Sequence, residues 1–200
     1  MLKKTKKMIV ASAIALGLAA GLAACAPAEP TASAEDVKAI TEVYTTFVDG
    51  VLAIDTKAAT DLYASLEEKY ASAEPTDTTK QEIIDQFKTL APDTFALIKL
   101  DGLSADEQGS ALGGLVGVAV GLEGAEISIK IPATAIKVEG DKATIDRSQI
   151  EVSYDQGTST IEPRKLTAEQ REALKDVKLI KVDGKWLISS TEGLFSEILG

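Results

Sequence analysis

Apolar residues recur at helical spacing through the first half of the chain and alternate with polar ones through much of the second. From Ser33 onward, Val37, Ile40, Tyr44, Phe47, Val48 and Val51 share one face of a helix. Ser33, with Asp36 three residues on, resembles a capping pair at its start. Gly50, between Asp49 and Val51, reads as a fraying end. A second helix begins near Thr56 and carries Ala59, Leu62, Tyr63, Leu66 and Tyr70 on one side, with Pro75 beyond its end. Thr79 and Glu82 mark the start of a third, with Ile83, Ile84, Phe87 and Leu90. Pro92 opens a further segment, and 95–100 reads as a short helix.

From Glu126 the period becomes two. Ile127, Ile129 and Ile131 alternate with Ser128 and Lys130, as in a half-buried strand. Pro132 has no N–H to give to a ladder, so it predicts a bulge or an edge, and Ile136 and Val138 resume as if one residue had been added. A turn at 139–141 leads to a return strand over 142–154, with a loop at 157–163. Thr167 and Gln170 cap a short polar helix to about Lys175. Asp183-Gly184 joins a strand at 177–182 to one at 185–189, and Leu194, Phe195, Ile198 and Leu199 suggest a closing helical turn. Helices followed by hairpin-linked strands give an α+β class, with N-terminal helices packed on an antiparallel sheet of about four strands.

Two stretches carry a family resemblance. TFVDGVLAIDTKAATDLYASL at 46–66 and VKLIKVDGKWLIS at 177–189 look like the two ends of a nuclear-transport-factor-like (ketosteroid-isomerase-like) domain. That resemblance implies a cone, in which helices wrap a curved sheet and enclose a pocket. The C-terminal strand pair, with the SSTEGLFSEILG that ends the chain, also resembles the low-molecular-weight secreted antigen family of mycobacteria and their relatives. Tyr44, Phe47, Tyr63 and Trp186 are the candidate lining of the implied pocket.

The N-terminus has another pattern. Lys3, Lys4, Lys6 and Lys7 precede an uncharged run over 8–24, the size of a signal-peptide core and short for a membrane span of about 20 residues. It closes on Leu22-Ala23-Ala24-Cys25, which closely resembles the lipobox of bacterial lipoproteins. The resemblance implies cleavage before Cys25 and a diacylglyceryl thioether on its sulfur. Residues 1–24 are then a lipoprotein signal peptide, 25–33 the lipidated cysteine and a Pro/Ala/Thr/Ser tether, and 34–200 a single domain. The expected location is the extracytoplasmic face of a bacterial cell membrane, held there by the lipid.

Composition narrows the chemistry. The chain has 200 residues, no His and one Cys, with 21 Lys and Arg against 31 Asp and Glu. A His-based triad and an internal disulfide are excluded. Four of the bases lie in 1–24, so the remainder has 17 against 31 and a net charge of −14. Such a surface suits neither nucleic acid nor anionic headgroups. No EF-hand loop, P-loop or nucleophile elbow occurs, and no metal or cofactor is expected. Asp49 and Asp61 are the carboxylates an enzyme of the cone fold would have to draw inward. Glu67-Glu68 and Asp106-Glu107 read as solvated faces, and Ser189-Ser190-Thr191 as a cap for the last helix.

Gly109, Gly113, Gly117 and Gly121 recur every four residues among Ala, Leu and Val. This stripe fits a tightly packed core helix or a Gly-rich connection, a dimer or membrane-contact face, or a ligand-lining loop. The first expectation is thus a non-enzymatic, lipid-anchored envelope protein that binds an apolar small molecule or lipid internally. The alternatives are an assembly module, homodimeric or joined to another envelope protein through 109–124, and, last, an enzyme.

Overall fold

The structure is a computed structural model that describes residues 32–70, 76–156, 159–161 and 176–190. Five helices come first: α1 Ala34–Leu52, α2 Thr56–Tyr70, α3 Asp77–Leu90, the single turn α4 Pro92–Phe95, and α5 Ala105–Gly121. Seven strands follow: β1 Glu126–Lys130, β2 Ile136–Glu139, β3 Lys142–Ile145, β4 Glu151–Gln156, β5 Ser159–Ile161, β6 Val177–Val182 and β7 Lys185–Ile188. The class is α+β.

Local signals explain most helix starts. The Ser33 hydroxyl accepts from the Asp36 amide at 3.0 Å, and Ser104 with Glu107 forms a complete capping box ahead of α5. The third helix starts earlier than expected: Thr76 caps it by accepting from the Thr79 amide at 3.3 Å. Gly50 does not mark fraying. α1 runs on to Leu52, and a Cβ on Gly50 would come within 2.0 Å of Thr94 Oγ1. The missing side chain is what lets α4 press against α1.

The sheet corrects the cone. The described residues form two small open sheets: one of four strands in the order β2-β3-β6-β7, one of three in the order β1-β4-β5. Among them no curved sheet closes into a cone, so the nuclear-transport-factor-like expectation is withdrawn. The cause lies in one long antiparallel ribbon. β1 pairs with β4 (Lys130↔Glu151) and β2 with β3 (Ile136↔Ile145), in the same register throughout. Between the two pairings each leg leaves the ladder for five residues, 131–135 and 146–150, and each makes a short 3-10 turn there. Pro132 cannot donate on one leg. On the other, Asp146 turns the chain by accepting from the Ser148 amide at 3.0 Å. One backbone bond spans the break, from Asp146 N to Ala135 O at 2.8 Å, and the Thr134 hydroxyl donates to Gln149 Oε1 at 3.1 Å. The single added residue expected at Pro132 is therefore a matched pair of five-residue breaks. The expected return strand over 142–154 is divided into β3 and β4, and part of the expected loop at 157–163 is β5.

The turns behave as their residues dictate. Gly140 has φ +61°, and the β6–β7 hairpin turns on Asp183 and Gly184 at φ +49° and +78°. Only the start of 95–100 is helical. Residues 97–99 run beside β7: Lys99 N donates to Ile188 O, and Ile188 N donates to Leu97 O, both at 2.8 Å. This bridges the outer edge of β7 at its last residue.

The core lies between the helices and the four-stranded sheet. Ile40, Tyr44, Phe47 and Val51 of α1 meet Ile145, Leu179, Trp186 and Ile188 in one buried cluster, with Ile84, Leu112 and Val116 of α3 and α5. The residues of the expected helix at 167–175, the expected closing turn near 194–199 and the expected signal peptide with Cys25 lie outside the described residues.

Candidate functional site

The four candidate pocket residues do not form one lining. Tyr44 and Phe47 have no accessible surface, and Trp186 keeps 3 %. A space able to hold even one water would expose area on its walls. Tyr63 belongs to the helical layer instead. It is half-buried, donates its hydroxyl to Gly113 O at 2.7 Å and meets Phe87 edge-on at 5.6 Å between ring centres. Trp186 is tied to α1: its Nε1 donates to Asp36 Oδ1 at 3.2 Å, and Lys181 Nζ donates to the same oxygen at 3.0 Å. The Lys181 ammonium also lies 5.2 Å from the centre of the Trp186 ring.

Asp36 thus joins the start of α1 to the β6–β7 hairpin. The Ser33 hydroxyl holds its carboxyl below the usual carboxylate range, with Lys181 and Trp186 adding to the effect and burial opposing it. The other acids have simpler duties. Asp61 pairs with Lys57, Asp106 pairs with Lys80 at 2.7 Å, and Glu107 completes the cap of α5. Asp49 is half-buried, which raises its pKa. Among the described residues, no three His, Cys, Asp or Glu side chains come together as metal ligands.

The most unusual chemistry is a pair that hydrophobic patterning missed. Arg147, in the second ribbon break, is 3 % exposed and lies close enough to Tyr44 for each to shift the other. Burial pushes the Tyr44 phenol up to about 12, and the guanidinium charge pulls against it. Burial lowers the Arg147 pKa, with Tyr44 and Asp176 opposing. The phenol is therefore neutral at physiological pH, and its oxygen has no hydrogen-bond partner. It reaches no solvent, so any substrate would have to part α1 from the sheet. One faint signal was available. Only three of the 21 basic residues are Arg, and a planar, weakly hydrated guanidinium suits burial better than an ammonium.

The glycine stripe of α5 divides in two. Gly109 and Gly113 face inward, where a Cβ would meet Ile84 at 4.0 Å and Phe87 at 3.6 Å. Gly114, Gly117 and Gly121 face open space, beside Val120 at 36 % exposure. No helix among the described residues is long and apolar enough to cross a membrane.

No family model, no curated protein and no solved structure matches the chain. The likeness to the secreted antigen family gains no support from them, and the open sheets remove the shared cone on which it leaned.

Proposed function

We propose that this is a lipid-anchored, non-enzymatic protein of the bacterial envelope, held at the extracytoplasmic face through Cys25, whose domain works through its surface as an interaction module. The observation that carries the anchoring is the ordered run of four Lys, an uncharged 8–24 and Leu22-Ala23-Ala24-Cys25. Two or more acyl chains give stable attachment where one would be marginal. The net charge of −14 on the remainder opposes adhesion to anionic lipid, so attachment rests on the cysteine. What favours a working surface over an internal pocket is the packing: Tyr44 and Phe47 are sealed, while the outer face of α5 around Gly117 and Val120 is open.

Metabolic labelling with a fatty acid tests the anchor. The wild-type chain should take up label and fractionate with membranes, and Cys25→Ser should do neither. An unlabelled wild-type chain, or a Cys25→Ser chain that stays membrane-bound as before, would sink the proposal. Native mass spectrometry of the purified protein tests the surface reading, because a stoichiometric co-purified lipid inside the domain would overturn it.

A further inference from the structure

We infer that β1 is a self-complementary edge through which two copies of this chain pair, joining their three-stranded sheets into one of six strands. The edge is open: among the described residues, β1 pairs with β4 on one side and with no strand on the other. The outer edge of β7, in contrast, is bridged at Ile188 by 97–99. An uncovered edge offers a row of unpaired backbone donors and acceptors to another strand.

The residues of β1 identify the occupant. Laid antiparallel on itself about a two-fold axis through Ser128, the strand Glu126–Lys130 sets Glu126 opposite Lys130 of the second copy, twice. It also sets Ile127 opposite Ile129 twice, and Ser128 opposite itself. Lysine on an edge ordinarily discourages pairing. Here its position selects one register, because only that register matches every charge. β2, on the same leg, is a shorter match. Centred on Val138 it would set Lys137 opposite Glu139 twice, but that register joins only three strand residues and leaves Ile136 against the Gly140 turn, where β1 matches all five.

Two features strengthen the match. Within its own sheet Glu126 stands in register with Asp155, a like-charged residue, and no cation pairs with it among the described residues. A second copy would supply that cation. Lys130 already bonds Glu151 at 3.0 Å, but it is largely exposed and its ammonium has three donors, so it can serve both acids. On the opposite face Ile127, Ile129 and Val152 are half-buried, and the two-fold axis would place both sets side by side in one continuous apolar strip. The pairing is closed. Each copy uses its β1 edge once, and Pro132 and the Gly124 turn (φ +79°) bound the strand on either side, so the product is a dimer and not a fibre. The inference is independent of the lipid anchor. Confinement to a membrane would only raise the effective concentration.

Thiol crosslinking reads the register directly, in the full-length chain with Cys25→Ser so that the introduced thiol is the only one. Ser128→Cys should form an interchain disulfide, because directly opposed Cβ atoms lie about 5 Å apart. Glu126→Cys and Lys130→Cys should not, since each lies several residues from its own copy. Charge reversal tests the same pairing by sedimentation velocity. Glu126→Lys and Lys130→Glu should each weaken self-association by about tenfold. An equimolar mixture of the two should recover it, because both charge pairs are then attractive. A wild-type chain that stays monomeric at high concentration, equal crosslinking at all three positions, or a mixture no tighter than either variant alone would each overturn the inference.

Discussion

The two ends of the β ribbon share a register and differ in almost everything else. At the β2–β3 end, Ile136, Ala143 and Ile145 are buried in the core cluster, and Ile145 has no accessible surface. At the β1–β4 end, Ile127, Ile129 and Val152 are half-buried, and Glu126, Ser128, Lys130 and Glu151 beside them are exposed. Identical pairing thus yields a core strand at one end and an amphipathic flap at the other. Backbone hydrogen bonding sets the ladder, but what lies across the face decides how much a side chain contributes.

The sharpest way to break this comparison is to truncate one isoleucine at each end. Ile145→Ala should cost about 2–5 kcal/mol, the usual range for a fully buried aliphatic. Ile129→Ala should cost less than about half as much, since it gives up only partial burial. Urea denaturation of both variants decides the matter, and equal losses would mean the ends are equally well packed. Next in size is Gly50→Ala. Its Cβ has no room beside Thr94, so a loss of about 1–3 kcal/mol is expected, less than additive with Thr94→Ala.

A smaller effect should appear in acid. The Asp36 carboxyl has a folded pKa below its unfolded value, so its contribution is present at neutral pH and is lost as pH falls through the folded value. Thermal melts should show stability declining below about pH 4, and Asp36→Asn should flatten that slope. The smallest expected change has the opposite sign. Gly117→Ala on the open face of α5 should stabilise by up to about 1 kcal/mol, and Gly113→Ala, beside Phe87, should gain less.

Helices were legible because capping and periodicity are local. Ser33 and the apolar stripe of α1 announce themselves within a few residues, whereas the Ser104–Glu107 capping box of α5 went unread because Asp106-Glu107 looked like a solvated face. The β6–β7 hairpin was legible for the same reason, through Asp183-Gly184. Division into two sheets was not. Pro132 signals a break on its own leg, but the matching break at 146–150 has no proline and shows only when the two legs are paired. Gly50 was misread because its reason lies 44 positions away, at Thr94. Arg147 escaped because a buried cation in a short turn leaves no periodic trace. The pocket reading rested on aromatics at helical spacing. That spacing reports which side of α1 is buried, and it cannot distinguish a packed wall from a lined one.

The equal breaks in the ribbon impose a constraint of count as well as of composition. Ala135 and Arg147 are buried and Asp146 makes its turn, but the number of residues matters independently. One residue added to either break alone could not be accommodated so easily. It would carry every side chain of β1 or β4 to the opposite face, turning Ile127 and Ile129 outward or Val152 away from them. Lengths on the two legs can therefore change only together, so the count of these ten residues decides which face of the flap meets the protein and which meets its surroundings.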